Sequence, residues 1–294
     1  MRKNMPTIKL DAIEIYYEVH GHGQPFLFFS ETACSGEIWK LYQVPEFSQD
    51  YMVILHDYRG TGKLSKPSSD YTIQMFCDNA VALLDHLHVR NAIVLGHSMG
   101  GRVAQLLALE YPERVKKLIL ASTGASFLGG AGLPLQMCKE MIEWGYEQYL
   151  REHTIQVGFT DEFVKRQPER LKAFFKVRLA NLGPLEYYLR HVLSRQGHDT
   201  SGRLTDIRMP TLVLVGEHEG DPKVVMTHRM SSDILAREIP NAKFVMLPKQ
   251  KHNYFATDPE MVHKAIREFL SLYSVGATGR SLRRAQRCGG PDYR

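Results

Sequence analysis

Gly96-His97-Ser98-Met99-Gly100 sets a serine between two glycines, directly after the apolar run Ala92–Leu95 and ahead of the helix-compatible stretch Arg102–Tyr111. Strand, sharp turn and helix form the setting in which a G-x-S-x-G serine becomes a nucleophile. The chain must reverse so tightly at Ser98 that side chains at positions 96 and 100 would collide with the adjoining strand and helix, hence the glycines. The turn exposes the serine hydroxyl and leaves the next backbone N–H, that of Met99, free to hold an oxyanion. The chemistry this pattern supports is attack of a hydroxyl on a carbonyl carbon.

A serine needs a base, and the base needs a group to orient it. Of the thirteen histidines, His252 is best placed. It follows the apolar run Lys243–Leu247 across the loop Pro248-Lys249-Gln250-Lys251 and precedes a long helical stretch, Pro259–Tyr273. His97 adjoins Ser98, but its side chain is expected to face away from the hydroxyl; it remains a candidate substrate contact, as does Trp144. His56 reads as a packed core residue, and His153, His191 and His198 as surface or substrate-side groups. The orienting acid is expected after the run Thr211–Val215, where Gly216-Glu217-His218-Glu219-Gly220-Asp221-Pro222 offers three carboxylates. Alternation along the strand does not select among them, because the turn has already begun.

These groups need a scaffold that holds distant loops together. Lys9–Tyr17, Phe26–Phe29, Tyr51–Leu55, Ala92–Leu95, Lys117–Ala121, Thr211–Val215 and Lys243–Leu247 read as short buried strands, with helical spacing between several of them, as at Ile73–Leu87. Strands alternating with helices imply an α/β fold, a mostly parallel sheet flanked by helices on both faces. From about Leu133 to Leu193 the pattern is helical throughout, with candidate helices Met137–Leu150, Asp161–Arg166, Pro168–Leu179 and Pro184–Leu193. This is expected to be an all-helical cap (residues 125–205) inserted into a core (1–124 and 206–274), over the carboxyl edge of the sheet where active sites of such sheets lie. The insertion carries Trp144, Tyr146, Tyr149, Phe159, Phe163, Phe174, Phe175, Tyr187 and Tyr188. Most of these are expected to pack the cap helices together, leaving an apolar lid that excludes water and sorts substrates by shape.

Composition bounds the alternatives. The chain has 294 residues, 44% of them apolar and 23% charged, within the ordinary globular range. No apolar run is long enough to span a membrane, and no apolar stretch follows the basic N-terminal residues as in a secretory signal. Four cysteines without metal-ligand spacing read as reduced thiols, so a cytoplasmic protein is expected. The net charge of +5 does not argue for nucleic acid: residues 275–294 hold five arginines against one aspartate, leaving only +1 on the rest. That Gly- and Arg-rich tail is expected to be disordered. The expected partner is a small-molecule substrate, with neither nucleic acid nor membrane, and neither metal nor organic cofactor is implied.

Together, Gly96–Gly101, Asp57-Tyr58-Arg59-Gly60-Thr61-Gly62 after a strand, Met209–Gly216 and the late His252 resemble the α/β-hydrolases with a helical cap, over residues 7–273. That group includes carboxylesterases, enol-lactonases, carbon–carbon bond hydrolases and cofactor-free haloperoxidases. The resemblance implies the chain order nucleophile, acid, histidine, with the acid three residues after Gly216, at Glu219; Asp221 is the alternative in a lengthened turn. It also implies a second oxyanion N–H from the loop after Phe29. There the family usually has His-Gly and this chain has Ser30-Glu31, so that by position Thr32 supplies the N–H. A carboxylate at Glu31 would oppose an oxyanion unless it points away or is paired. The first expectation is that Glu31 faces solvent; the alternatives are that it contacts substrate, or that the oxyanion hole is weak. The resemblance implies a serine hydrolase acting on a small to medium, largely apolar ester, lactone or related carbonyl substrate through an acyl-enzyme. Cofactor-free oxygenase or perhydrolase chemistry on the same fold, or a ligand-binding receptor-like role, are the alternatives.

Overall fold

The computed structural model describes residues 6–10, 13–63, 67–126, 132–220 and 227–272. The strands are β1 (Thr7–Leu10), β2 (Ile13–His20), β3 (Gln24–Phe29), β4 (Tyr51–His56), β5 (Ala92–His97), β6 (Val115–Ala121), β7 (Thr211–Gly216) and β8 (Ala242–Leu247). They form one sheet in the order β1-β2-β4-β3-β5-β6-β7-β8. Pairings β1–β2 and β2–β4 are antiparallel, and all those from β4 to β8 are parallel. The run Lys9–Tyr17, expected as one strand, belongs to two that pair with Leu10 opposite Ile13. Both arms carry the same two-residue alternation, so the pattern does not mark the reversal.

Period-2 side chains divide the core into two layers. Leu27, Phe29, Ile54, Val94, Leu118, Leu120 and Val213 pack on one face, against α2 (Ile73–His86), α3 (Met99–Glu110) and α9 (His228–Glu238). Their chain neighbours Phe26, Phe28, Val53, Leu55, Ile93, Leu95, Ile119 and Leu212 point to the other face. There α1 (Gln43–Phe47) and α11 (Pro259–Leu272) cover them, with the short α10 (Tyr254–Thr257) at the edge. Central strands buried on both faces read as continuous apolar runs, as at Ala92–Leu95 and Thr211–Val215.

The connection from β6 to β7 holds α4 (Leu133–Trp144), α5 (Tyr146–Gly158), α6 (Asp161–Arg166), α7 (Pro168–Ala180) and α8 (Leu185–Ser194). The single helix expected at Met137–Leu150 is two, because Gly145 adopts φ +89°, open to glycine and strained for other residues, and so ends α4 and starts α5. Phe159, Phe163, Phe174 and Phe175 pack with Ala256, tying α6 and α7 to the end of the chain's core. No helix among the described residues is long and apolar enough to cross a membrane. The tail expected to be disordered and the alternative acid Asp221 lie outside the described residues.

Candidate active site

Ser98 sits between β5 and α3 with φ +55° and ψ −115°, a conformation non-glycine residues hold only when their surroundings force it. The surroundings do so. Ser98 N–H donates to the Ala121 carbonyl at 2.9 Å, and the Thr123 hydroxyl donates to the Ser98 carbonyl at 2.7 Å. A Cβ at Gly96 would stand 2.3 Å from the Gly100 oxygen, and one at Gly100 would stand 2.4 Å from the Phe29 oxygen. Neither backbone atom has room to yield, so both glycines are required by close approach. Met99 is the first residue of α3, where backbone N–H groups have no partner within the helix and carry its partial positive charge.

His252 follows β8 and lies against the turn after β7. Its Nδ1 is 2.9 Å from Glu219 Oε2, with the two side chains 10% and 1% exposed. Glu219 Oε1 accepts from the Gly216 N–H at 2.8 Å and from the Ser122 hydroxyl, which also lies 2.8 Å from the Tyr254 hydroxyl. Three donors thus meet this buried carboxylate, two at Oε1 and one at Oε2. Burial alone would lower the His252 pKa; the charge and hydrogen bond of Glu219 outweigh it and hold the pKa above the ordinary 6.5. Glu217, two residues earlier, points outward and accepts from the Lys249 N–H at 2.8 Å. His97 accepts no place beside Ser98: its ring lies 4.6 Å from that of His252, with Nε2 3.1 Å from the His252 carbonyl. Burial pushes its pKa down to about 3, so it supports the His252 loop as a neutral ring.

Glu31 does not face solvent, which corrects the first expectation. Its side chain is 15% exposed, its Oε1 lies 3.6 Å from Arg178 Nε, and it lines the cavity beneath the cap. Arg178 comes from α7 and also donates to the Thr32 carbonyl at 2.9 Å and the Ala33 carbonyl at 2.6 Å. One guanidinium from the cap therefore pairs the carboxylate that replaces the family's glycine and fixes the loop bearing Thr32. From below, the Tyr58 hydroxyl donates to the Ser30 carbonyl at 3.1 Å, and Asp57 accepts from Ser35 and from the Gly36 N–H. The Asp57–Gly62 segment thus serves as a brace for this loop. No local pattern in the sequence distinguished Arg178 from its basic neighbours on α7.

A cavity of about 150 Å³ opens over Ser98, bounded by Met99, Thr32, Glu31 and His252 from the core. Leu133, Met137, Tyr149, Leu150, Val157 and Tyr188 close it from the cap. The cap is also joined to the His252 loop, since the Asn253 N–H donates to the Gly158 carbonyl at 3.1 Å and Lys251 Nζ to the Gln156 carbonyl at 2.8 Å. Two residues expected as substrate contacts do not line this cavity. Trp144 is 46% exposed at the end of α4, off the cavity wall, because Gly145 turns the chain there and brings Tyr149 inward instead. His97 is not on this wall; it borders a smaller neighbouring cavity of about 30 Å³ with Trp39 and Phe255. Glu219, His228 and His252 bring metal-ligating atoms within 4.8 Å of one another, but an ion there would compete with the Glu219–His252 hydrogen bond.

Residues 19–259 match the family described as alpha/beta hydrolase fold. The chain belongs to the α/β-hydrolases. This α/β-hydrolase is 28% identical over 269 residues to a Caulobacter vibrioides protein named as the carbamate hydrolase RutD, covering 87% of this chain and 95% of that one. It is 30% identical over 270 residues to a poly(3-hydroxyalkanoate) depolymerase of Ectopseudomonas oleovorans, covering 90% of this chain and 91% of the relative. Among solved structures it is similar to a thermophilic esterase from Thermogutta terrifontis, at TM-score 0.79 and 26% identity, over 92% of this chain and 99% of that one.

Proposed function

We propose that this α/β-hydrolase cleaves a small to medium carbonyl substrate, an ester or lactone, by acyl transfer through Ser98, His252 and Glu219. The observation that carries the reading is the buried 2.9 Å contact of His252 Nδ1 with Glu219, on the same cavity wall as the strained Ser98. Glu219 accepts a hydrogen bond from Nδ1–H, which keeps the proton on Nδ1 and leaves Nε2 as the basic nitrogen. His252 Nε2 takes the proton of the Ser98 hydroxyl as its oxygen attacks the carbonyl. The N–H groups of Met99 and Thr32 hold the resulting oxyanion at the positive end of α3. His252 returns the proton to the leaving alcohol, and the same nitrogen then activates a water that releases the acid. Relatives named as a carbamate hydrolase, a poly(3-hydroxyalkanoate) depolymerase and an esterase are in keeping with this reading.

Hydrolysis of p-nitrophenyl esters, acetate to octanoate, by the wild type and Ser98→Ala tests it, together with labelling of Ser98 by a fluorophosphonate. Activity and labelling that vanish with Ser98→Ala are expected. Turnover that persists in the variant, or consumption of oxygen in place of ester cleavage, would replace acyl transfer with another chemistry on this fold.

A further inference from the structure

The guanidinium groups of Arg102, Arg178 and Arg195 stand in the wall of the Ser98 cavity, where the carboxylates among the described lining residues are Glu31 and Glu219. Both carboxylates are committed, Glu31 to Arg178 and Glu219 to His252. Arg102 belongs to α3, four residues beyond Ser98, so one helical turn of about 5.4 Å separates their positions along the axis. It is 4% exposed, and its Nη1 donates to the Ser126 carbonyl. No carboxylate among the described residues forms an ion pair with it. Burial first, then the charge of the nearby Arg195, pulls its pKa down to about 9, so it remains a cation at neutral pH.

Two like charges in a buried wall repel, and a buried guanidinium without a counter-charge is costly to keep. His228 adds to the cluster. Its ring stacks 4.6 Å from that of His252, it lines the same cavity, and its Nδ1 has no hydrogen-bond partner among the described residues. Burial and the surrounding His252 and Arg102 keep this imidazole neutral, so its free nitrogen can serve a ligand as a hydrogen-bonding group. Opposite this polar wall stand Leu133, Met137 and Leu150.

We infer that the Arg102–Arg195–His228 wall is a carboxylate-binding subsite, and that the substrate is a carbonyl compound with an apolar body and a carboxylate about one helical turn from the carbonyl Ser98 attacks. The inference takes the reacting carbonyl from the acyl-transfer reading above; the anion subsite stands on its own residues. The substrate class is the monoanionic ester or lactone of a dicarboxylic or oxo acid. The carboxylate gives Arg102 a counter-charge, and Arg102 is suited to it by its fixed planar fork of donors.

The test compares p-nitrophenyl hydrogen esters of succinate, glutarate and adipate with their methyl-capped analogues, which differ by one charge. In the wild type the best anionic ester is expected to exceed its methyl analogue in kcat/KM by about tenfold to a hundredfold, the range for a hydrogen bond to a charged group. Arg102→Gln and, separately, Arg195→Gln are expected to lower that ratio by about tenfold or more. A wild type that prefers the methyl-capped ester, or treats the two alike, overturns the inference, and this comparison needs no variant to fold. If the wild type hydrolyses neither series, the acyl-transfer reading fails and calorimetry with glutarate judges the subsite alone. Binding that Arg102→Gln abolishes supports the subsite, and no binding of glutarate by the wild type overturns it.

Discussion

Glu219→Gln is the substitution that most sharply tests the proposed mechanism. It conserves shape and removes one charge from a carboxylate that is 1% exposed. The donors around Oε1, the Gly216 N–H and the Ser122 hydroxyl, require an acceptor there, so the glutamine oxygen must take that position. Its amide nitrogen then faces His252 Nδ1, a donor where the native pair has an acceptor. Nδ1 must become the unprotonated nitrogen and the proton must move to Nε2, the wrong tautomer for a base beside Ser98. The lost charge matters as well. Opposite unit charges 2.9 Å apart attract by about 6 kcal/mol at an effective dielectric of about 20. The imidazolium carries its full charge only near the transition state, so about half to two-thirds of that is felt as barrier. At about 1.4 kcal/mol per tenfold, kcat/KM is expected to fall by roughly a hundredfold to a thousandfold from charge alone, and by up to about ten-thousandfold with the tautomer error. The pH profile gives an independent readout. His252 must be neutral to act, so activity rises with pH through its raised pKa, placing the acid limb above 6.5 in the wild type. Residual activity of the variant should show that limb moved to lower pH, because burial then acts without Glu219 to oppose it. The assay is kcat/KM against pH for the best ester, with Asp221→Asn in parallel. A variant within tenfold of wild type, an unmoved acid limb, or a larger loss in Asp221→Asn would refute the assignment of the acid.

Three further outcomes are expected. Arg178→Met leaves Glu31 buried without a partner and frees the Thr32 and Ala33 carbonyls; kcat is expected to fall roughly tenfold to a hundredfold with a smaller change in KM, and Glu31→Gln added to it should restore part of the loss in stability. Equal kcat in the single variant and the wild type would mean that Arg178 holds the cap and nothing more. Gly96→Ala drives a methyl to within 2.3 to 2.7 Å of the Gly100 and Gly101 backbone, and should cost about 3 kcal/mol, lowering Tm by several degrees and abolishing fluorophosphonate labelling; an unaltered melt would contradict the packing described for the elbow. His56 is held neutral by burial with its pKa near 4, and His97, His191 and His198 with theirs near 3, while the unfolded chain protonates near 6.5. The unfolded state then binds more protons, so stability is fully present above that value and is lost as pH falls towards 3, by up to about 4 kcal/mol per group. His252 acts in the opposite sense and is too few to cancel four. Thermal melts between neutral pH and pH 4 should show a steep decline, and a flat Tm would show that these rings are not held as described.

The elements that depend on neighbours in the chain were legible without the structure. The elbow at Ser98 is a local sterics problem, and its glycines announce it. Each parallel strand is buried on both faces, so each reads as an uninterrupted apolar run, and a histidine just beyond the last of them is placed by connectivity. Turns were less legible, because Gly145 and the reversal between β1 and β2 leave the hydrophobic period unchanged on either side. Trp144, a candidate substrate contact by sequence, stands exposed at that turn. Within the turn after β7, sequence offered three carboxylates and only family resemblance favoured Glu219, since the direction of a side chain in a turn follows from what packs against it. Tertiary structure alone joined the cap to the Ser98 cavity: Arg178 reaches the loop bearing Thr32 across 146 residues of chain. It also gathered Arg102, Arg195 and His228 from three separate helical regions into one wall. Charges so distant in sequence meet only when the cap folds over the sheet.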